Sequence, residues 1–556
     1  MKILRGVPRR AFAAAALLPL VVFTTDLGMP SLWDPDEGRH AEIAREMLLT
    51  GERLTPKLNS EPYREKLPVY YWALAASFAA FGGRNEAAAR LPSAVLAVLG
   101  VWAAIAWGSR HFRPLTGAIA GLVLATTAGY AGAGRLALID APYSILLSLA
   151  LLSMGASLVG TRTGFPFAFY GALAAATLVR GPVAVVSAAL IALVFAFAVA
   201  EPRRLLRLRP LRGIALLAAL VGPVYGWIAA ADPRHLPEFL WRYNVLRFLR
   251  ADVPGTHEEP FLFFLWFTPL LMLPWAVFLP WSLRDAARKG SDRAPEARLY
   301  CLCWALVIVG FFTLSAAKFP SYTLPALLPL SLLTARFLDR ELRRPASSLR
   351  EPLFFGGIVL FAVVLVAPIV GYQVVGRLFP TYAEKTAYLL LLVPLALAGL
   401  ATVAMRSRAG TIAAITACSA ILVLGLYRFG AGTVSAFNSM EVPAELIAGE
   451  LPPAAPLVSY RTTSHSLSFY SGRPVRSFDS IGEAASFLAS REPVALLTKR
   501  RHLPEVRAAI PVAWYFWWES DSKKVLLVNR PSPAGGDRRI LLPLSASAGF
   551  RDSVAP

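Results

Sequence analysis

The feature that most constrains this chain is a series of apolar runs, each about as long as a bilayer is thick. A helix needs roughly 20 residues to cross a hydrocarbon core about 30 Å thick. Such runs predict membrane spans at 11–29, 88–108, 115–132, 142–160, 165–178, 181–200, 212–231, 261–281, 299–316, 322–338, 353–375, 387–405 and 410–430. The sequence therefore predicts a mainly α, polytopic membrane protein with about thirteen transmembrane helices.

Composition agrees with that class. Of 556 residues, 56% are hydrophobic and 16% are charged, whereas about 25% of the residues of a soluble domain are charged. The net charge of +21 comes from short basic clusters between the apolar runs, a pattern typical of cytoplasmic loops and not of a nucleic-acid-binding surface. Cys301, Cys303 and Cys418 all lie in apolar runs, so we expect buried thiols and no disulfide framework.

The basic clusters also predict an orientation. Arginines and lysines concentrate in every second loop, for example at 203–212, 284–298 and 336–344, and such loops face the cytoplasm. The amino terminus is then predicted inside and the carboxy terminus outside. Two long loops, 30–87 and 232–260, face outward.

After residue 430 the pattern changes to that of a small α/β domain. Short strands are predicted at 456–460, 493–498 and 524–529, and helices at 481–489 and 504–510. The aromatic run 514–518 favours a packed strand over a binding platform. The predicted domains are 1–430 in the membrane with its outer loops 30–87 and 232–260, 431–535 as an extracytoplasmic α/β domain, and 536–556 as a flexible tail.

A highly charged stretch, Trp33 to Leu48, follows the first apolar run. Part of it is explained by a helix start, with Asp34 as the cap, Pro35 in the first turn and Glu37 as the acid of a capping box. That explanation leaves the charges of Asp36 and Arg39 without a role.

The same stretch opens a series of motifs that resembles a known family. The motifs are Asp36-Glu37-x-Arg39-x-Ala41-Glu42-Ile43, Pro56-x-Leu58-Asn59, Tyr63-x-Glu65-Lys66-x-Pro68, Asn85-Glu86, Arg90-Leu91-Pro92-Ser93, Arg135 with Asp140-x-Pro142, and Ser315-x-x-Lys318-x-Pro320-Ser321-Tyr322. In this order, over most of 30–340, they resemble the lipid-phosphate-sugar-dependent glycosyltransferases, above all the aminoarabinose transferase of lipid A and the protein O-mannosyltransferases.

The resemblance implies a GT-C membrane fold and a reaction at the outer face of the cell (inner) membrane. A sugar would pass, with inversion, from a polyprenyl-phosphate donor to a lipid (lipid A-like) or protein acceptor. The topology predicted from the basic loops independently puts these motifs outside or at the border of a span. Neither the sugar nor the acceptor follows from the motifs.

Two acids match the catalytic carboxylates of the family. Asp36 would orient or deprotonate an acceptor hydroxyl, and Asp140 would be the second acid. The alternatives are a helix-terminus charge for Asp36 and an ion pair with Arg135 for Asp140.

The residues that match the family's phosphate- and donor-binding groups are basic or phenolic. They are Arg39, Tyr63, Lys66, Arg180, Arg247, Lys318 and Tyr322. Such groups would stabilise the negative charge that develops on the leaving phosphate. The alternatives are solvated loop bases, arginines that reach the headgroups, and tyrosines of an interfacial aromatic belt.

Glu65 and His257 match a carboxylate and a histidine that can share a metal ion in the aminoarabinose transferase. The resemblance therefore implies a divalent metal, zinc or magnesium, and no organic cofactor. A polar loop is the alternative for His257.

Two other classes of function share the hydrophobicity of this chain. A transporter or flippase of polyprenyl-linked lipids would also carry outward bases, but it does not require acids in two outer loops. A scaffold that presents the small outer domain leaves the Asp36, Lys66 and Asp140 motifs unexplained.

Overall fold

The computed structural model describes residues 9–160, 166–250, 252–253, 258–288, 294–344, 348–378, 387–430, 435, 438–511, 513–520, 523–530 and 540–541. The chain forms two compact units. The first takes in 1–27, 64–73 and 87–430, and the second takes in 28–63, 74–86 and 431–556. Residues 28–63 and 74–86 thus group with the carboxy-terminal residues, whereas the predicted division assigned the loop 30–87 to the membrane domain.

Helices cover the predicted apolar runs and also form between the first two of them, at Asp36–Thr50 and Val69–Ala80. Up to residue 231 they are Arg9–Thr24, Asp36–Thr50, Val69–Ala80, Glu86–His111, Pro114–Ala125, Ala128–Gly134, Asp140–Val159, Phe167–Arg180, Val183–Ala198 and Pro210–Ala231. From there to residue 425 the longer ones are the π-helix Glu238–Leu246 and the α-helices Phe263–Leu271, Leu279–Ala287, Pro295–Thr313, Leu324–Leu342, Pro352–Leu378, Leu392–Ala404 and Arg408–Gly425.

Many of these helices could cross a membrane. Within the described ranges, seven are long and apolar enough, and the number rises to nine if each of two bent pairs forms one span. The predicted spans 11–29, 165–178 and 181–200 correspond to shorter apolar helices. The multi-span helical architecture is confirmed, and the count of thirteen stays a prediction.

The two bent pairs correct the prediction of continuous spans at 115–132 and 261–281. Pro114–Ala125 and Ala128–Gly134 meet at 66°, and Phe263–Leu271 and Trp275–Ala287 meet at 116°. The second break contains Pro274, which lacks the N–H that a continuous helix needs.

Arg135 is anchored inside the first unit. Its guanidinium donates to the backbone carbonyls of Val22 and Thr25 and lies 3.7 Å from the centroid of the Tyr427 ring. The two carbonyl groups and the aromatic ring thus stabilise the positive charge of a buried arginine. Arg135 therefore serves the packing of the helices.

The second unit is built on a six-stranded sheet. Its strands are β3 (Leu457–Tyr460), β4 (Val475–Phe478), β5 (Ala495–Lys499), β6 (Trp514–Glu519), β7 (Lys524–Val528) and β8 (Ile540–Leu541), and β1 (Lys57–Leu58) and β2 (Glu61–Pro62) form a separate hairpin. The order is β4-β3-β5-β7-β6-β8, with β4, β3 and β5 parallel and the other pairs antiparallel. The predicted strands are confirmed, and β8 lies within the predicted tail.

Helices cover both faces of this sheet. Because side chains alternate along a strand, Leu457 and Leu497 pack with the helices Glu441–Glu450 and His465–Ser471 on one face. Val458 and Leu496 pack with the helices Ile481–Leu488 and Leu503–Ala509 on the other. The parallel part is thus doubly wound. The connection after β3 leads to β4 on one side, and the connection after β4 crosses back over the sheet to β5 on the other side of β3.

The charged helix Asp36–Thr50 packs on His465–Ser471 within the second unit. At Gly38 a Cβ atom would lie only 2.5 Å from the Ser466 backbone nitrogen, so glycine permits the close approach. Glu42 and Arg45 form a buried, doubly hydrogen-bonded pair at 2.6 and 2.7 Å.

Candidate functional site

The first unit brings several predicted site residues together at helix ends. Arg180 is the last residue of Phe167–Arg180, which stops because Gly181 takes a φ of +93° and Pro182 follows. Asp140 is the first residue of Asp140–Val159. Each charge lies at the helix end that its sign favours, acid at the amino end and base at the carboxyl end.

Asp140 and Arg180 form an ion pair. The second carboxylate oxygen of Asp140 accepts a hydrogen bond from the Ser321 hydroxyl. The Arg180 guanidinium lies 5.5 Å from the ring centroid of Tyr143 and 5.0 Å from that of Tyr322, within cation–π range. The acid and the two rings therefore hold the guanidinium in a defined orientation.

A second ion cluster surrounds Glu65. Its Oε1 accepts from Lys66 Nζ at 3.2 Å and from Arg247 Nη1 at 2.9 Å. The Arg247 guanidinium also lies 5.1 Å from the Tyr243 ring centroid. One carboxylate thus positions two bases that are distant in sequence.

The three bases Lys66, Arg180 and Arg247 line one cavity of about 60 Å³, named here the cationic pocket. Its other lining residues are polar, aromatic or apolar: Val183, Tyr243, Asn244, Phe248, Phe312, Ser315 and Tyr322. Preorganised bases and hydroxyls around so small a space favour an anionic group such as a phosphate.

Most of the predicted donor-binding residues of the first unit lie at this pocket. Lys66, Arg180, Arg247 and Tyr322 line it, whereas Lys318 lies just behind it and donates to the carbonyl of the lining residue Ser315 at 2.8 Å. The alternative of an ion pair between Asp140 and Arg135 is wrong, because the helix packing gives Asp140 a different arginine.

Asp36, Arg39 and Tyr63 belong to the second unit and have their own surroundings there. Asp36 is the first residue of its helix and pairs with Arg39 one turn later. Its side chain is 50% exposed, which leaves the carboxylate accessible to a reactant. The Tyr63 backbone N–H donates to the Pro56 carbonyl at 2.7 Å.

Asp34 does not cap the helix, which corrects the prediction from the capping pattern. The helix starts at Asp36 without a side-chain cap. The Asp34 carboxylate instead accepts from the Ser464 hydroxyl and from the Ser466 hydroxyl and backbone N–H, at 2.7 to 2.8 Å. Glu37 does reach back to a backbone N–H, that of Trp33, at 3.2 Å.

His465 is a neighbour of these acids that the motifs did not reveal. Burial lowers the pKa of its imidazole to about 4, although Asp34 and Asp36 oppose that shift. The ring is therefore neutral at physiological pH, and it adds no positive charge beside Asp36.

Residues around Glu65 do not assemble a metal site in the part of the chain that the structure describes. Its carboxylate forms salt bridges with the bases Lys66 and Arg247, and the described residues contain no group of three His, Cys, Asp or Glu that could hold a metal ion. His257 lies outside the described residues. The divalent metal stays a prediction.

Some residues in or beside the pocket were missed from sequence. Tyr143 was detectable, because it lies one helical turn after Asp140 in Asp140-Ala141-Pro142-Tyr143. Ser315 was inside a quoted motif without a role of its own, and Tyr243 lies four residues before the predicted Arg247. His235, which contacts the Lys66 carbonyl at 3.0 Å, left no local signal.

Known proteins resemble this chain in sequence and in fold. Residues 61–227 match the family model described as dolichyl-phosphate-mannose-protein mannosyltransferase. An undecaprenyl phosphate-α-4-amino-4-deoxy-L-arabinose arabinosyl transferase of Pseudomonas aeruginosa is 31% identical over 354 residues, which are 60% of this chain and 61% of the relative. The protein of that name in Erwinia tasmaniensis is 29% identical over 379 residues, 63% of this chain and 64% of the relative. The matches thus span somewhat less than two thirds of these relatives.

Solved structures extend the likeness to nearly the whole chain. ArnT from Cupriavidus metallidurans, in a crystal structure with undecaprenyl phosphate, superposes with a TM-score of 0.79 at 22% identity. The superposition covers 94% of this chain and 98% of that one. The chain therefore has the GT-C fold of ArnT, and its sequence is similar to those of the aminoarabinose and protein-mannose transferases that use lipid-phosphate sugars.

Proposed function

We propose that this protein is a membrane glycosyltransferase that takes a sugar from a polyprenyl-phosphate donor. The observation that carries the proposal is the cationic pocket, in which Lys66, Arg180 and Arg247 line one cavity. The names of the arabinosyl transferase relatives and the undecaprenyl phosphate bound in the ArnT crystal structure support the same donor class.

The bases act on the leaving group. When the bond between the anomeric carbon and the phosphate oxygen breaks, negative charge grows on the phosphate and positive charge grows on the sugar. Lys66 and Arg247, held by Glu65, and Arg180, held by Asp140, stabilise that negative charge without having to reorganise. Free polyprenyl phosphate is the product that leaves.

The acceptor attacks the opposite face of the anomeric carbon, so the configuration inverts. With a hydroxyl acceptor, the exposed carboxylate of Asp36 takes the hydroxyl proton as a general base. With a phosphate acceptor no proton needs to leave, and Asp36 contributes orientation. The acceptor is a lipid of the lipid A kind or a protein.

We also place the reaction at the outer face of the inner membrane, with the amino terminus in the cytoplasm. The alternating basic loops support this orientation. A Ser480→Cys variant tests it, because Ser480 is exposed in the second unit and the three native cysteines are buried. A membrane-impermeant thiol reagent should label the variant in spheroplasts, and labelling only after lysis would reverse the orientation.

Release of polyprenyl phosphate tests the reaction itself. The full chain, purified in detergent, is incubated with polyprenyl phosphates that carry several sugars, with and without a lipid or membrane-protein extract. We expect acceptor-dependent release that falls by about 100-fold in Lys66→Ala, the loss typical of removing one charge-stabilising donor, and that also falls in Asp36→Asn.

Arg64→Ala is the matched control. Arg64 pairs with Asp232 and Glu238 and does not line the pocket, so its loss should leave release unchanged. Release without dependence on Lys66, or transport of intact donor across vesicles by the wild type without release, would contradict the proposal and favour a flippase.

A further inference from the structure

A second cavity lies wholly within the second unit. It has a volume of about 530 Å³. Most of its lining residues are polar or charged: the bases Arg461, Lys499 and Lys524, the acids Asp34 and Asp479, and three side chains with hydroxyl groups. Asp34 and Pro35 of the lining belong to the capping pattern discussed above, and the proposed transfer reaction does not use the cavity.

The cavity lies at the position in the sheet where ligands bind in doubly wound folds. Arg461 follows β3, Asp479 follows β4, and Lys499 ends β5, so all three lie at the carboxyl edge of the parallel strands. β4 and β5 flank β3 on opposite sides, which makes this edge a topological switch point, where a crevice opens between diverging connections.

Two lysines face each other across the strands of this edge. Lys499 of β5 and Lys524 of β7 are direct partners in the antiparallel register, so their side chains emerge on the same face. Like charges directly opposite destabilise a sheet. Among the described residues Lys499 forms no salt bridge, and Lys524 Nζ reaches only Asp34 Oδ2, at 3.8 Å.

The arrangement buries the Lys524 side chain at a cost. Only 9% of the surface of Lys524 is exposed. Burial lowers the pKa of its ammonium, and the neighbouring Lys499 adds to that effect while Asp34 opposes it. An anion between the two lysines would relieve both the repulsion and the lost hydration.

Arg461 adds a third base at the rim. It takes a φ of +48°, which is uncommon outside glycine and marks candidate functional positions. Its Nε donates to the Asp479 carbonyl at 2.9 Å, and its Nη1 contacts Glu505 at 3.1 Å. These contacts orient the guanidinium, and Arg461 lines the cavity together with the next two residues, Thr462 and Thr463.

We propose that this cavity binds a phosphate monoester, held by Lys499, Lys524 and Arg461. Hydroxyl donors from Thr462, Thr463 and Ser477 suit the many acceptor oxygens of a phosphate. Of the two acids in the lining, Asp34 is already engaged by Ser464 and Ser466, and exposed Asp479 suits a hydroxyl of the group that carries the phosphate. The phosphate belongs to a soluble sugar phosphate or to a lipid headgroup.

Binding to the full chain in detergent tests the proposal and separates the two sources. Glucose 1-phosphate is the soluble probe, phosphatidic acid in nanodiscs is the lipid probe, and glucose is the uncharged control. Calorimetry should show binding of at least one phosphate probe, about tenfold weaker in Lys499→Gln, which corresponds to about 1.4 kcal/mol. Hydrogen exchange should show protection at 461–463 and 477–479.

Lys523→Gln is the matched control, because Lys523 is the neighbour of Lys524 in sequence and does not line the cavity. Arg180→Lys should also leave this binding unchanged, which separates it from the proposed transfer site. Without ligand, Lys499→Gln should melt at a higher temperature than the wild type, since it relieves the lysine repulsion. Equal affinities in Lys499→Gln and wild type, protection only elsewhere, or no binding of either phosphate probe would overturn the proposal.

Discussion

Single side chains at the cationic pocket are held by partners of opposite charge. Asp140 pairs with Arg180, and Glu65 pairs with both Lys66 and Arg247. Three bases against two acids leave this cluster with one positive charge in excess. The pairs fix the direction of each base before a ligand arrives, and such preorganisation is what makes electrostatic stabilisation effective.

Arg180→Lys tests the geometry of this cluster separately from its charge. Lysine keeps the charge but loses the planar fork and the contacts with the Tyr143 and Tyr322 rings. We expect release of polyprenyl phosphate to fall about tenfold in Arg180→Lys and about 100-fold or more in Arg180→Ala. Arg64→Lys should retain wild-type release. Full activity in Arg180→Lys would show that only the charge matters.

Glu42 in the second unit predicts a pH dependence of stability. Burial raises the pKa of its carboxyl to about 7, against the lowering effect of its bond to Arg45. The ordinary pKa of a glutamate is 4.5, so between about pH 4.5 and about pH 7 the folded state holds a proton that the unfolded state has released. The free energy of unfolding therefore falls as the pH rises through this range.

Glu42→Gln removes this titration. Thermal unfolding between about pH 4.5 and about pH 8 should show the variant gaining stability relative to the wild type as the pH rises through that window. Glu61 is exposed and provides the control. The melting temperature of Glu61→Gln should change with pH in the same way as that of the wild type. A Glu42→Gln curve that also runs parallel would mean that Glu42 stays ionised when folded.

At the scale of elements, helix ends place the pocket residues. The helix Phe167–Arg180 ends where Gly181 adopts a φ of +93°, a conformation that glycine takes without a steric cost. A Cβ at Gly181 would lie 2.8 Å from Phe239 Cζ and 3.0 Å from Asn244 Oδ1. The turn therefore sets both the end of this helix and its distance from the pocket wall.

Gly181→Ala should destabilise the first unit by about 1–3 kcal/mol, because a φ of +93° with a ψ of −165° is a backbone region essentially restricted to glycine, with a further cost from the contact with Phe239. Release of polyprenyl phosphate should fall with it, because Arg180 and Asn244 would shift. Gly171→Ala in the same helix has no atom within 4 Å of its Cβ, so it should keep wild-type release and melt no lower than the wild type, since alanine favours a helix over glycine. Melting curves of both variants, beside their release rates, check the expectation.

The elements also show where reading the sequence succeeds. Lys66 and Tyr322 were predicted from the ordered motifs, and Arg180 and Arg247 from the family resemblance outside them; all four line the pocket. Partners were harder to predict. Asp140 pairs with Arg180 and not with Arg135 because the pairing depends on how helices distant in sequence pack together.

Asp34 shows the same limit for a local rule. Its pattern satisfies the requirements of a helix cap, but its carboxylate binds serines 430 and 432 positions away. A capping rule compares a residue only with the next few N–H groups. It cannot weigh a competing partner that the tertiary fold brings close.

At the scale of the whole molecule, the second unit joins segments that are far apart in sequence. Residues 28–63 and 74–86 share a compact unit with residues after 430. Composition and hydropathy describe each segment locally, so the predicted boundary at residue 430 separated them. The anchoring of Asp34 on Ser464 and Ser466 shows the physical cause of their association.

This grouping predicts which parts of the chain lose stability together. Leu497 is fully buried in the core of the sheet, and Leu497→Ala should cost about 2–5 kcal/mol. Because cooperative units open as a whole, hydrogen exchange should accelerate in β3, β5 and β7 and also in the helix Asp36–Thr50.

Ile308→Ala is the matched control in the first unit, where Ile308 is fully buried in Pro295–Thr313. It should accelerate exchange among the helices of 87–430 and leave Asp36–Thr50 at its wild-type rate. If Leu497→Ala instead loosens only residues after 430, the charged helix folds independently of the sheet. Asp36 would then owe its position to the first outer loop alone, and the serine contacts of Asp34 would contribute little to the stability of the unit.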